Sequence, residues 1–299
     1  MKNQLKTLVL LGVLSALLVG VGSLIAPSRW ALFAAVAATM NLLAYFFSDR
    51  LVLAASRARL LGEHEAPELH RMLAELASRA GIPTPRLYLA PDAQPNAFAT
   101  GRNPARGAVA VTEGLLHLLD RRQLRGVLAH EVAHIENRDI LLASVAAGIA
   151  AVFTQIAHTV GLLGALGRDD DSDEPGPVAS LLLLLVAPVA ATLVQLGISR
   201  SREYVADETA ARLTGDPEAL ASALEALEYG TAALPARVEP ATASLYIANP
   251  FGSRGLGWLA SLFSTHPPVG ERVKRLRVMA SASGSARPGR YLRLRFGGA

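Results

Sequence analysis

His130-Glu131-Val132-Ala133-His134 is the stretch on which the rest of the chain turns. It lies in a run that reads as helix from Asp120 to Glu136, with Asp120 as N-cap and Gln123 as its capping-box partner. Residues i and i+4 share one face of a helix. His130 and His134 can therefore offer two imidazoles to one zinc ion, and Glu131 can serve a water on that metal as general base. The competing reading is two surface histidines on an ordinary helix.

Composition limits what surrounds this helix. Of 299 residues 51% are hydrophobic and only 5% aromatic, and the balance points to a membrane protein. There is no cysteine, so any zinc site must use histidine and carboxylate. The net charge of +4 is modest, and no basic stretch is interleaved with aromatics, which argues against a nucleic-acid partner.

Two apolar runs precede the motif. Lys2 and Lys6 lead into residues 7–26, which are uncharged and long enough to span a bilayer; a signal peptide is the competing reading. After Pro27-Ser28-Arg29 comes a second run, residues 30–47, ending at Ser48-Asp49-Arg50. The two make a transmembrane hairpin, 1–50, and the lysines at one end with Arg50, Arg57 and Arg59 at the other put both ends in the cytoplasm. The section 51–139 then reads as cytoplasmic. Pro67 to Ala80 is an amphipathic helix stopped at Gly81. Residues 86–90, 96–100 and 107–112 are strands, the last two joined by a turn through Gly101-Arg102-Asn103-Pro104. A small antiparallel sheet is expected, with an edge that can take an extended peptide or serve as a plain structural hairpin.

Two further apolar runs follow, residues 140–167 and 178–199, separated by an acidic loop from Arg168 to Gly176. As a second hairpin, 140–199, they return the chain to the cytoplasm for 200–280. Arg200 to about Leu213 is helical, and Glu203 and Asp207 share a face one turn apart. The hairpin brings Glu203 back to the surface that His134 left, each within about 10 Å of it at 1.5 Å per residue. Two histidines, one glutamate and an open fourth position are the ligands of a catalytic zinc, one per chain, and Asp207 can hold a ligand histidine N–H. Pro217 to Tyr229 is another amphipathic helix, and Thr265-His266-Pro267-Pro268 opens one ending near Met279. His64, His70 and His117 read as surface or packing residues, and His158 as a packing residue within the third span. Residues 281–299 form a disordered basic tail.

These pieces resemble the HtpX-type membrane-bound zinc endopeptidases, gluzincins related to the CAAX prenyl proteases. The matching stretches are Pro95 to Gly101, His130 to His134, Ser199 to Asp207 and Ser264 to Pro268, in the family's order. The resemblance implies a mainly α membrane protein: four transmembrane helices with a cytoplasmic zincin-like metalloprotease domain and a small β-sheet. It implies His130, His134 and Glu203 as zinc ligands, Glu131 as base, Asp207 as supporting carboxylate and His266 as oxyanion donor. Asn96, Ala97, Phe98 and Ala99 match the strand that holds the substrate backbone. It also implies an inner-membrane protease that degrades misfolded or damaged membrane proteins, so the expected partners are unfolded or membrane polypeptides and the lipid bilayer. Three alternatives stand beside this: a membrane chaperone or scaffold with a non-turning-over zinc site, a prenyl-peptide-processing protease, and a metal transporter. The transporter would want more ionisable residues inside its spans than His158 alone.

Overall fold

The computed structural model describes residues 11–12, 15–16, 19–20, 23, 27–145, 200–233 and 267–282. Most of the first expected span and of the second expected hairpin, with His158, His266 and the tail from residue 283, lie outside the described residues. Helix α1, Trp30–Ala55, follows a 3-10 turn over Pro27–Arg29. Together these make the one described helix long and apolar enough to cross a membrane, 29 residues at a mean hydropathy of 1.7. Asn41 on α1 donates to Ser15 Oγ at 2.7 Å, so the first apolar run lies beside α1 at that level.

Helix α1 does not stop at Asp49 and Arg50 but runs on to Ala55. Charged residues end a bilayer span, not a helix, and the extra turns find a protein partner. Val52 and Leu53 are buried against Phe98 and Ala110 of the sheet. The chain then reverses through Arg57, whose φ is +50°.

The sheet has four strands: β1 Arg59–Leu60, β2 Arg86–Ala90, β3 Ala97–Thr100 and β4 Ala108–Thr112. Their order is β1-β2-β4-β3. It corrects the antiparallel expectation: β3 and β4 form an antiparallel hairpin, but β2 and β4 run parallel, with Arg86 opposite Ala108 and Ala90 opposite Thr112. The segment between β2 and β3 recrosses so that β3 takes the outer edge, and nothing in the period-2 pattern of a strand reports its direction. Phe98 and Ala110 face α1, whereas Ala97, Ala99, Val109 and Val111 face the main core.

The remaining helices are α2 Pro67–Arg79, α3 Glu113–Leu118, α4 Arg121–Glu136, α5 Arg200–Thr214, α6 Pro217–Ala233 and α7 Val269–Ala282. Helix α4 carries the histidine pair and occupies the centre, packed on α2, α5, α6, β3 and β4. Its start is the capping box expected from sequence: Asp120 Oδ1 accepts from Gln123 N at 2.8 Å, and Asp120 N donates to Gln123 Oε1 at 3.1 Å. Gly81 and Gly215, at φ +66° and +69°, end α2 and α5, the first as its sequence position suggested. After α4, Arg138 at φ +58° breaks the helix, and a new one begins at residue 140. Ile140, Leu142 and Val145 at its start are buried, and Ser144 Oγ pairs with Thr100 Oγ1 at 2.8 Å. The first turns of the expected third span therefore belong to the protein interior, because an apolar run does not distinguish lipid from core.

Gly126 lets α4 and α6 approach. A Cβ there would lie 2.8 Å from Leu220 N and 2.9 Å from Leu220 Cα, both backbone atoms that cannot swing aside. Gly126→Ala should therefore destabilise the chain by about 1–3 kcal/mol despite alanine's better helix propensity. Denaturation of the detergent-solubilised protein measures this; unchanged or increased stability would show that the helices separate at no cost.

Candidate metal centre

Helix α4 is buried over every residue from Gly126 to Ala133, including His130 at 1% and Glu131 at 4% exposure. Polar groups placed so deeply must find partners or cost several kcal/mol. Each imidazole finds them on both of its nitrogens. His130 Nε2 and His134 Nε2 lie 3.1 Å apart, each 3.6 Å from an oxygen of the Glu203 carboxylate. One donor atom from each of the three residues falls within 4.8 Å of the others, a spacing that can hold a metal ion. Two imidazole nitrogens and a carboxylate are a donor set suited to zinc among the divalent metals.

The far side of each imidazole faces an aspartate. Asp207 Oδ1 lies 3.0 Å from His130 Nδ1. Asp139 Oδ2 lies 3.4 Å from His134 Nδ1. Each carboxylate accepts the Nδ1–H, which leaves the Nε2 lone pair aimed at the common point. Behind each aspartate stands an arginine. Arg272, wholly buried on α7, clasps Asp207 with two bonds, Nε to Oδ2 at 2.8 Å and Nη2 to Oδ1 at 2.7 Å. Arg202 on α5 sets Nη1 3.9 Å from Asp139 Oδ1. His130 and His134 are thus each backed by an aspartate and an arginine, Asp207 with Arg272 and Asp139 with Arg202.

The electrostatics follow from this packing. Burial opposes a charge on His130, but its hydrogen bonds to Asp207 and Glu203 prevail and raise its pKa to about 9. Surroundings that favour a proton there also favour a metal cation at the same point. Burial pushes the Asp207 carboxyl up, yet the Arg272 guanidinium beside it wins and holds it down at about 2. Arg272 is likewise kept charged against its burial by Asp207, with smaller help from Glu203 and Glu131.

Of the residues expected from sequence, His130, His134, Glu203 and Asp207 come together, with Glu131 buried beside them. Asn96 through Ala99 lie in or beside edge strand β3, which packs on α4. Asn96 brackets β4 by donating its N–H to Thr112 Oγ1 at 2.8 Å and accepting from Thr112 N at 3.0 Å. His64 and His117 are exposed, and His70 bonds the Leu61 carbonyl at 2.9 Å, so these three are surface or packing residues as expected. Sequence reasoning missed Asp139, Arg202 and Arg272. For Arg272 a signal existed: it falls on the apolar face that Val269, Val273, Leu276 and Ala280 bury.

Removing one member of a buried ion pair leaves an uncompensated charge. Arg272→Met should therefore cost about 3–5 kcal/mol near neutral pH, and adding Asp207→Leu should recover part of that loss. Asp207 has a depressed pKa, so its contribution is whole above its ordinary value of 3.8 and fades as pH falls toward 2. Denaturation of the two variants against pH measures this; equal losses in the single and double variants would show that the pair is not coupled.

Comparison with known proteins agrees with the geometry. The model of peptidase family M48 matches residues 63–280. A protease HtpX homolog from Pelotomaculum thermopropionicum is 50% identical over 282 residues, covering 93% of this chain and 99% of that one. One of the same description from Pyrococcus abyssi is 50% identical over 285 residues, covering 94% and 97%. A looser likeness, at 16% identity and a TM-score of 0.48, is to the crystal structure of S. mikatae Ste24p, covering 92% of this chain and 65% of that one. The chain belongs to peptidase family M48, as a membrane-bound metalloprotease.

Proposed function

We propose that this protease is a zinc endopeptidase of the bacterial inner membrane, with its site on the cytoplasmic side, that cleaves misfolded or damaged membrane proteins. The observation that carries the reading is the convergence of His130, His134 and Glu203 around one point, with the Glu131 carboxylate on the same helix. Zinc, when bound, supplies a Lewis acid that polarises a scissile carbonyl and makes water a better nucleophile. His130, His134 and Glu203 would hold it. Glu131 would take the proton of the attacking water, so that hydroxide adds to the carbonyl carbon, and pass that proton to the leaving amine. Asp207 and Asp139 would keep the imidazoles in the right tautomer. His266, which the resemblance makes an oxyanion donor, precedes in sequence the helix that bears Arg272. An extended substrate would lie along β3, whose outer edge is the side away from β4. The positive ends of the expected spans favour the cytoplasmic orientation.

The test uses full-length wild type, Glu131→Gln, Glu203→Ala and Asp139→Asn, purified in detergent without chelators. Wild type and Glu131→Gln should each carry one zinc per chain by elemental analysis, while Glu131→Gln cleaves casein about 10²–10⁴-fold more slowly. Glu203→Ala should lose the metal. Asp139→Asn should bind zinc about 10–100-fold more weakly in competition with a chromophoric chelator. Wild-type cleavage by Glu131→Gln would remove it as base, and full zinc in Glu203→Ala would remove the third ligand.

A further inference from the structure

Three arginines from distant parts of the sequence gather where α1 leaves its apolar stretch. Arg50 belongs to α1 itself and lies over the Phe47 ring, 5.5 Å from its centroid. Arg102 belongs to the turn between β3 and β4 and lies over Phe46 at 5.2 Å. Arg86 opens β2, lies 5.7 Å from the Tyr88 centroid and reaches Asp49 at 3.7 Å. Among the described residues Asp49 is the one acid paired within this group, and its side chain is only 17% exposed, while Arg86 remains 52% exposed. The cluster is cationic on balance and open to its surroundings.

Its height follows from helix geometry. About twenty residues at roughly 1.5 Å each cross the hydrocarbon core, which carries the helix from Pro27 to Phe46 and Phe47. Tyr45, Phe46 and Phe47 are 39%, 47% and 41% exposed and form the aromatic girdle expected at a membrane–water boundary. The three guanidinium groups therefore sit at the level of lipid phosphates. A guanidinium over a ring keeps its in-plane N–H donors free, and that fork matches a phosphate.

We propose that Arg50, Arg86 and Arg102 form a docking surface for the headgroups of anionic phospholipids in the leaflet where α1 emerges. Two of the three belong to the catalytic part, so the contact seats that part on the membrane rather than merely orienting a span. The last turn of α1 packs on Phe98, which puts edge strand β3 beside the lipid surface. A polypeptide drawn from the bilayer meets β3 within a few residues of leaving the lipid.

The test is independent of metal and of cleavage. Full-length wild type and Arg86→Ala/Arg102→Ala are placed in nanodiscs of phosphatidylcholine with increasing phosphatidylglycerol. Bound lipid is counted by native mass spectrometry and Tm is followed in parallel. Wild type should retain phosphatidylglycerol over phosphatidylcholine and rise in Tm. The double variant should bind it about 25-fold more weakly, at roughly fivefold per arginine. Arg86→Lys/Arg102→Lys, which keeps the charge but loses the fork, should fall between wild type and the alanine variant. No preference for phosphatidylglycerol in the wild type overturns the proposal, whatever the variants do. So does an equal preference in wild type and the alanine variant, or a Tm rise reproduced by inorganic phosphate in phosphatidylcholine alone.

Discussion

The bidentate contact between Arg272 and Asp207 is the interaction on which the rest of the molecule leans. Helix α4 runs through the middle of the catalytic part, and its chemistry requires two imidazoles and a carboxylate away from water. A low-dielectric interior rejects such a group unless charge and hydrogen bonds are supplied around it. The protein supplies them in layers. Acids on α5 and after α4 face the imidazoles, and arginines on α7 and α5 face the acids. With Arg272 in place, α7 has to lie across α5 and α6, and its surface contacts follow: Arg275 over the Tyr204 ring, and Arg277 bridging Glu218 and Glu225. Those outer pairs are exposed and contribute little. The inner pair sets the position.

Much of this was legible in sequence, because it rests on spacing along single helices. The i,i+4 histidines, the i,i+4 pair Glu203 and Asp207, the capping box and the glycine stops all express one-dimensional rules. What escaped depends on which surfaces meet. Asp139 looked like the last residue before an apolar run, yet the left-handed turn at Arg138 folds it back beneath His134. Arg272 looked like one of several arginines on an amphipathic helix, and only its place on the buried face sets it apart. The parallel pairing of β2 with β4 was hidden for a similar reason. Strand alternation records which side is buried and carries no arrow.

The boundary between membrane and catalytic parts is less sharp than hydropathy suggests. Helix α1 crosses it without a break, its final turn serving as core for the sheet. Residues 140–145, apolar enough to read as the start of a span, are instead mostly buried in the protein, with Ser144 tied to Thr100 and to the Gly101 amide at the end of β3. An apolar run suits lipid and protein interior alike, and composition alone cannot separate them. Edge strand β3 is thus packed directly on the one described helix long and apolar enough to cross a membrane.

The order of the site residues along the chain has a consequence for how the protein is made. His130 and His134 leave the ribosome long before Glu203, and Arg272 comes later still. Chains emerge from their N-terminus at about 5–20 residues per second, so the counter-cation for the buried aspartate arrives several seconds or more after the histidine pair. A nascent or truncated chain that lacks α7 holds its acids and imidazoles without the guanidinium that lets them stay buried. The protease thus carries its own timing, with hydrolytic machinery that becomes a stable interior only once α7 has been made.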